Sequence, residues 1–165
     1  MLYSLNHINS MSPYLVSEYE EGTAYFVTDK GAEYLVNFIE ETNIGIKHAY
    51  QLVLSNKNRS KILGTDPKIA ETIAAIVTSF FYNKRHVLFY VCDTTDKHEA
   101  ARHRKFKSWF QKYADTESLE LLTERIEVEE TTFFISFIYN KKHEEAAALQ
   151  SSFYSYFQAL RSKLE

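Results

Sequence analysis

The chain has 165 residues, 45% of them hydrophobic, 25% charged and 15% aromatic, with a formal net charge of −3. That length fits one domain of about 100–200 residues, large enough to fold around its own core without a disulfide or metal. The acidic balance argues against a general nucleic-acid binder, and the single cysteine, Cys92, excludes an intramolecular disulfide framework and a multi-cysteine zinc site.

The N-terminus, MLYSLNHINS, has no basic segment followed by an apolar one, so no secretory signal is expected. No apolar run approaches the ~20 residues that span a bilayer. The expectation is a soluble cytoplasmic protein with no membrane partner.

Four strands are predicted first, PYLVSEYEE, TAYFVTDK, AEYLVNFIEE and HAYQLVLSN, all rich in β-branched and aromatic residues. Glu21-Gly22 separates the first two and Asp29-Lys30-Gly31 the next two. Gly31 is free to take the positive φ of a short hairpin. Tyr34, Val36 and Phe38 fall on one face by the two-residue period, as do Tyr50, Leu52 and Leu54. Such short turns imply an antiparallel meander.

The period then changes. Asp66-Pro67 reads as a helix start, with Asp66 as N-cap and Pro67 at the first helical position, where its missing N–H costs nothing. Ile69, Ile73, Ile76 and Phe80 follow at helical spacing, and the helix should end near Asn83-Lys84. VLFYVC is apolar on both faces and reads as a central strand, parallel to the strand before the helix. It buries Cys92 as an inert thiol.

A second helix is expected from about Lys97 to Ala114, with Phe106, Trp109, Phe110 and Tyr113 as its buried face. LLTERIEVE and TTFFISFIYN form a hairpin around Glu129-Glu130, with Phe133, Ile135 and Phe137 pointing one way. A last helix starts near His143 and carries Ala146, Leu149, Phe153, Tyr156 and Leu160 as its apolar stripe. The order is β-β-β-β-α-β-α-β-β-α: a single α+β domain with a mixed, mostly antiparallel sheet and helices packed on it.

From the second strand to the final hairpin, this order resembles the core of the GCN5-related N-acetyltransferase fold. The resemblance implies a coenzyme A pyrophosphate loop in the segment NKNRSKILGTDPKI. Arg59 and Lys61 would face the phosphates there, and Gly64 would hold the first glycine position. The position that the family gives to a small residue is Asp66, a carboxylate where the phosphate would sit. The segments TAYFVTDKGAEYLVNF, DPKIAETI and YVCDTTDKHEAARHRKFKSWF together resemble a family of small bacterial proteins of unknown function. That likeness implies a standalone bacterial protein and supplies no catalytic residues.

The polar residues of YVCDTTDKHEAARHRKFKSWF form the main candidate site. On a helical wheel Arg102 precedes Phe106 by four residues and shares its inward face, whereas Arg104 lies opposite, in solvent. Arg102 would meet Asp93 or Asp96 at the end of the central strand. Such a cluster is either a structural cap and ion pair or a ligand pocket at the strand's carboxyl end. Arg102, His103, Arg104, Lys105 and Lys107 make a local basic excess, read as a solvated helix face.

The six histidines form no compact ligand pair, so no metal is expected. No G-x-S-x-G elbow is present. In the last helix Tyr154 and Phe157 lie off the main stripe and would suit a homodimer contact. The sequence therefore points to a non-catalytic module that binds a protein or small ligand and needs no cofactor. The alternative is an acyl-CoA-dependent N-acyltransferase with an altered loop.

Overall fold

A computed structural model describes residues 2–58, 66–92 and 99–164, with the side chains of Cys92, residues 99–102, Val128 and Leu164 left aside. The elements are α1 (Leu5–Met11), β1 (Ser17–Glu20), β2 (Thr23–Val27), β3 (Glu33–Glu40), β4 (Ala49–Asn56), α2 (Pro67–Phe80), β5 (Val87–Cys92), α3 (Glu99–Tyr113), β6 (Leu119–Val128), β7 (Thr131–Asn140) and α4 (Ala146–Leu164). The hydrogen-bonded strand order is β1-β2-β3-β4-β5-β7-β6. The pairs β1–β2, β2–β3, β5–β7 and β6–β7 are antiparallel, whereas β4 and β5 run parallel through Ala49–Val87, Tyr50–Leu88 and Gln51–Phe89. The expected α+β class and mostly antiparallel sheet are therefore the observed ones. So is the parallel pair, which follows from the helix that separates its two strands.

The chain groups into two compact units, Met1–Ile39 with Leu52–Asn83, and Glu40–Gln51 with Lys84–Glu165. In the first, Gly31 holds φ 83° at the β2–β3 turn, which Thr28 and Ala32 close by a 2.9 Å backbone hydrogen bond. The period-two face of β3 buries Tyr34, Val36 and Phe38, and the helical stripe of α2 buries Ile69, Ile73, Ile76 and Phe80. Phe38 and Phe80 stack with centroids 4.5 Å apart, and Phe26 stacks on Tyr34 at 5.2 Å. Each buried ring contributes about 1.5–3 kcal/mol by area, and each ring pair about 0.5–1.5 kcal/mol more.

Helix α1 departs from expectation. The predicted first strand began at Pro13, but only Ser17–Glu20 is strand, and Leu5–Met11 ahead of it is helical. Its N-cap, Ser4, accepts the His7 N–H through its hydroxyl. The same residue donates its own N–H to Ser79 Oγ on α2 at 2.9 Å. Ile8 is the helix's one buried residue. Seven residues carrying a single apolar anchor show too little periodicity to read as a helix before the packing on α2 is known.

In the second unit, β7 lies between β5 and β6, and its alternation divides the packing. Phe137 takes Phe153 of α4 at 4.3 Å, and the same face buries Ile135, Tyr139, Phe89, Val87 and Ile126 with Leu149 and Phe157. The opposite face turns Phe134, Ser136 and Ile138 toward α3. Helix α4 starts at Ala146, three residues after His143, because His143 closes a turn instead. Its Nδ1 accepts the Glu145 N–H at 3.0 Å, and its carbonyl accepts from Ala146.

Candidate functional site

Helix α3 is laid on the strands by two ring contacts. Phe106 stacks on Tyr90 of β5 with centroids 4.4 Å apart and planes at 19°. One turn earlier, His103 stacks on Phe134 of β7 at 4.3 Å and 7°. Between those strand residues Ser136, paired with Tyr90 in the ladder, shares a 3.1 Å hydrogen bond with Thr123 of β6. Ser136 is almost wholly buried.

His103 is the residue that sequence reasoning missed. It is 93% buried, and among the described residues its Nδ1 has no hydrogen-bond partner. Burial holds its pKa below the usual 6.5, and the Lys107 ammonium one turn on pushes the same way. The ring is therefore a neutral imidazole at physiological pH. The signal was present: His103 precedes Phe106 by three residues, as Arg102 precedes it by four, so both fall on the aromatic face. The expected row of cations is thus interrupted. Arg104, Lys105 and Lys107 are exposed as expected, and Lys105 lies over the Trp109 ring at 5.1 Å. Phe106, Trp109, Phe110 and Tyr113 share the inward face but are only half-buried.

Asp93 and Asp96 lie outside the described residues, as does the Arg102 side chain. The same holds for Arg59, Lys61 and Gly64. The region next to that loop is described, and there Asp66 acts as predicted. Its carboxylate accepts the Lys68 N–H at 3.0 Å, and Pro67 occupies the first turn of α2. Unanticipated was the long-range cluster around it. Tyr14 donates its hydroxyl to Asp66 Oδ2 at 2.5 Å and accepts the Asp29 N–H at 3.3 Å. Lys68 Nζ reaches Asp29 at 3.0 Å and lies over the Tyr14 ring. Burial, and then the hydrogen bond to Asp66, raise the Tyr14 pKa; the Asp29 contact raises that of Lys68.

One expectation about partners is corrected. Phe157 is 98% buried, packed on Phe153 with the Arg161 guanidinium over its ring, so it presents no surface to a second chain. Tyr154 remains exposed. On the helical wheel Phe157 follows Phe153 by four residues, which places the two on one stripe.

Among the described residues, no group of three His, Cys, Asp or Glu side chains is placed to hold a metal ion, and no helix is long and apolar enough to cross a membrane. Strand order and packing define a mixed α+β protein with a capped N-terminus on α2 and a buried histidine on the inner face of α3. The chain belongs to a family of unknown function (DUF6169), whose model matches residues 65–155. That match begins at the α2 cap and runs through β5, α3 and the β6–β7 hairpin into α4. No curated protein and no solved structure matches the chain.

Proposed function

We propose that this protein is a non-catalytic binding module for a protein or small polar ligand, built on an acetyltransferase-like order of elements. The observation that carries the proposal is the state of the α2 N-terminus. In the resemblance drawn from the sequence, a coenzyme A pyrophosphate would occupy that end, where free N–H groups and the helix dipole favour an anion. Here the place is filled by Asp66, whose carboxylate already takes hydrogen bonds from Lys68 N–H and Tyr14. A second anion would meet that charge directly.

The ligand-binding surface in this reading is the carboxyl end of β5 with the first turns of α3. Asp93, Asp96 and Arg102, by their places in the sequence, would supply its charge. The competing reading is an acyl-CoA-dependent N-acyltransferase that uses Arg59 and Lys61 for the phosphates, and the run β2-β3-β4-α2-β5-α3-β6-β7 favours it. Titration calorimetry with coenzyme A separates the two. The binding-module reading expects no heat of binding. Micromolar binding that Lys61→Ala abolishes would overturn it in favour of the acyltransferase.

A further inference from the structure

We propose that the open edge of β6 docks a second copy of this chain, antiparallel, about a two-fold axis through Thr123. Strand β6 ends the strand order, and its pairing with β7 runs through ten residues without a register shift. The opposite edge strand is built differently. β1 has only four residues, all exposed, and a shift between Glu18 and Glu20, and shortness and irregularity are usual devices against edge pairing. β6 has the length and regularity that those devices remove.

In an antiparallel pair, alternate residues exchange both backbone groups with their neighbour, and those between turn theirs outward. Two contacts show which residues of β6 turn outward. Leu119 gives its N–H to Asp115 O at 2.9 Å, and the Arg125 carbonyl accepts from Arg161 at 3.3 Å. Neither partner is on β7, so Leu119, Leu121, Thr123, Arg125 and Glu127 are the outward set. Leu121 and Thr123 lie between the two contacts, and among the described residues no strand runs beside them.

The side chains then select both the occupant and its register. A two-fold axis normal to the strands keeps each face, so a residue meets one of the same parity on its copy. An axis through Leu122 sets Glu120 against Glu124. Axes through Glu124 or Arg125 set each charge against itself. An axis through Leu121 needs, in the pairs directly beside the axis, the Leu119 N–H that Asp115 holds, and one through Ile126 runs Leu121 past the partner strand's end. The axis through Thr123 opposes no like charges and calls on the Leu119 N–H only at its outermost pair, Leu119 with Glu127, so the pairs at and beside the axis keep their backbone groups. It places Thr123 beside its own copy, Leu121 beside Arg125, Leu122 beside Glu124 and Glu120 beside Ile126, with no like charges opposed. A strand that is compatible with itself in one register is suited to a second copy of the same chain. The Arg161 contact with the Arg125 carbonyl is long and solvent-exposed, and it yields to the partner's Leu121 N–H.

The test uses the full chain. Sedimentation is expected to show a dimer that Leu121→Pro converts to monomer, since that proline deletes an outward N–H and leaves the β7 ladder intact. Circular dichroism checks that the variant is folded. Register is read separately by oxidative cross-linking in a Cys92→Ser background. Thr123→Cys should cross-link, because the axis sets the two cysteines about 5.5 Å apart between Cα atoms. Glu127→Cys should not, its copies lying eight residues apart along the strands, roughly 27 Å. A monomeric wild-type chain, a dimer that survives Leu121→Pro, or equal cross-linking at the two positions would overturn the proposal.

Discussion

Replacing Asp66 by alanine removes two interactions at once, and their sizes can be worked out separately. The carboxylate caps α2 through the Lys68 N–H, a contact worth about 1 kcal/mol in an N-cap. It also accepts the Tyr14 hydroxyl, and a hydrogen bond to a charged group contributes about 1.5–3 kcal/mol. Asp66 is only half-buried, which favours the lower end, so Asp66→Ala should cost about 2–3 kcal/mol. For a chain of this length that lowers the melting temperature by roughly 4–12 °C. Asparagine caps as well as aspartate does and still accepts the Tyr14 hydroxyl. Asp66→Asn therefore loses chiefly the charge at the helix N-terminus, under about 1 kcal/mol. Urea denaturation of the two variants, with Tyr14→Phe and the double variant closing the cycle, measures each part. The coupling between Tyr14 and Asp66 should lie within about 0.5–3 kcal/mol. Equal losses for the alanine and asparagine variants would refute the capping argument, and zero coupling would refute the hydrogen bond across fifty-two positions of sequence.

Two further outcomes follow from the second unit. His103 binds its proton less readily when folded than the unfolded imidazole does near pH 6.5, so its share of stability is intact above that value. That share is lost as the pH falls from there through the lower folded value. In His103→Phe, which keeps a ring against Phe134 and removes the unpaired nitrogen, thermal melts across that range should lack this acid loss; parallel pH profiles for both chains would contradict the assignment. On α4, Phe153→Ala should cost about 3–5 kcal/mol, since the ring is buried against Phe137. Tyr154→Ala, next to it but exposed, should stay within roughly 0.5 kcal/mol by chemical denaturation. Similar losses at the two positions would mean that α4 presents a different face to β7.

Much of this fold could be read locally. The strands of TAYFV, EYLVNFIE and TTFFISFIYN follow from alternation and β-branched or aromatic composition, because a half-buried strand repeats its environment every two residues. Helix α2 was legible to the residue at its start, since Asp66-Pro67 satisfies the helix end without help from the rest of the chain. Helix α1 was not legible, because its stability rests on Ile8 and on the Ser4–Ser79 contact across seventy-five positions. A local window contains neither partner.

The candidate site divides the same way. The sequence determined that an aromatic face on α3 would pack on the strands and that Arg104 would be in solvent, because helical periodicity fixes which residues share a face. It could not decide how far each member of that face is buried, since burial depends on what the other element brings. Phe134 of β7 lies under His103, so that ring became the neutral, buried member of a run that composition alone counts as basic. Phe157 is the same case on α4: expected from the sequence to face a second chain, it is instead enclosed by Phe153 and Arg161. Local order was written in the spacing of residues; the charge state and exposure of individual side chains were set only when distant strands and helices met around them.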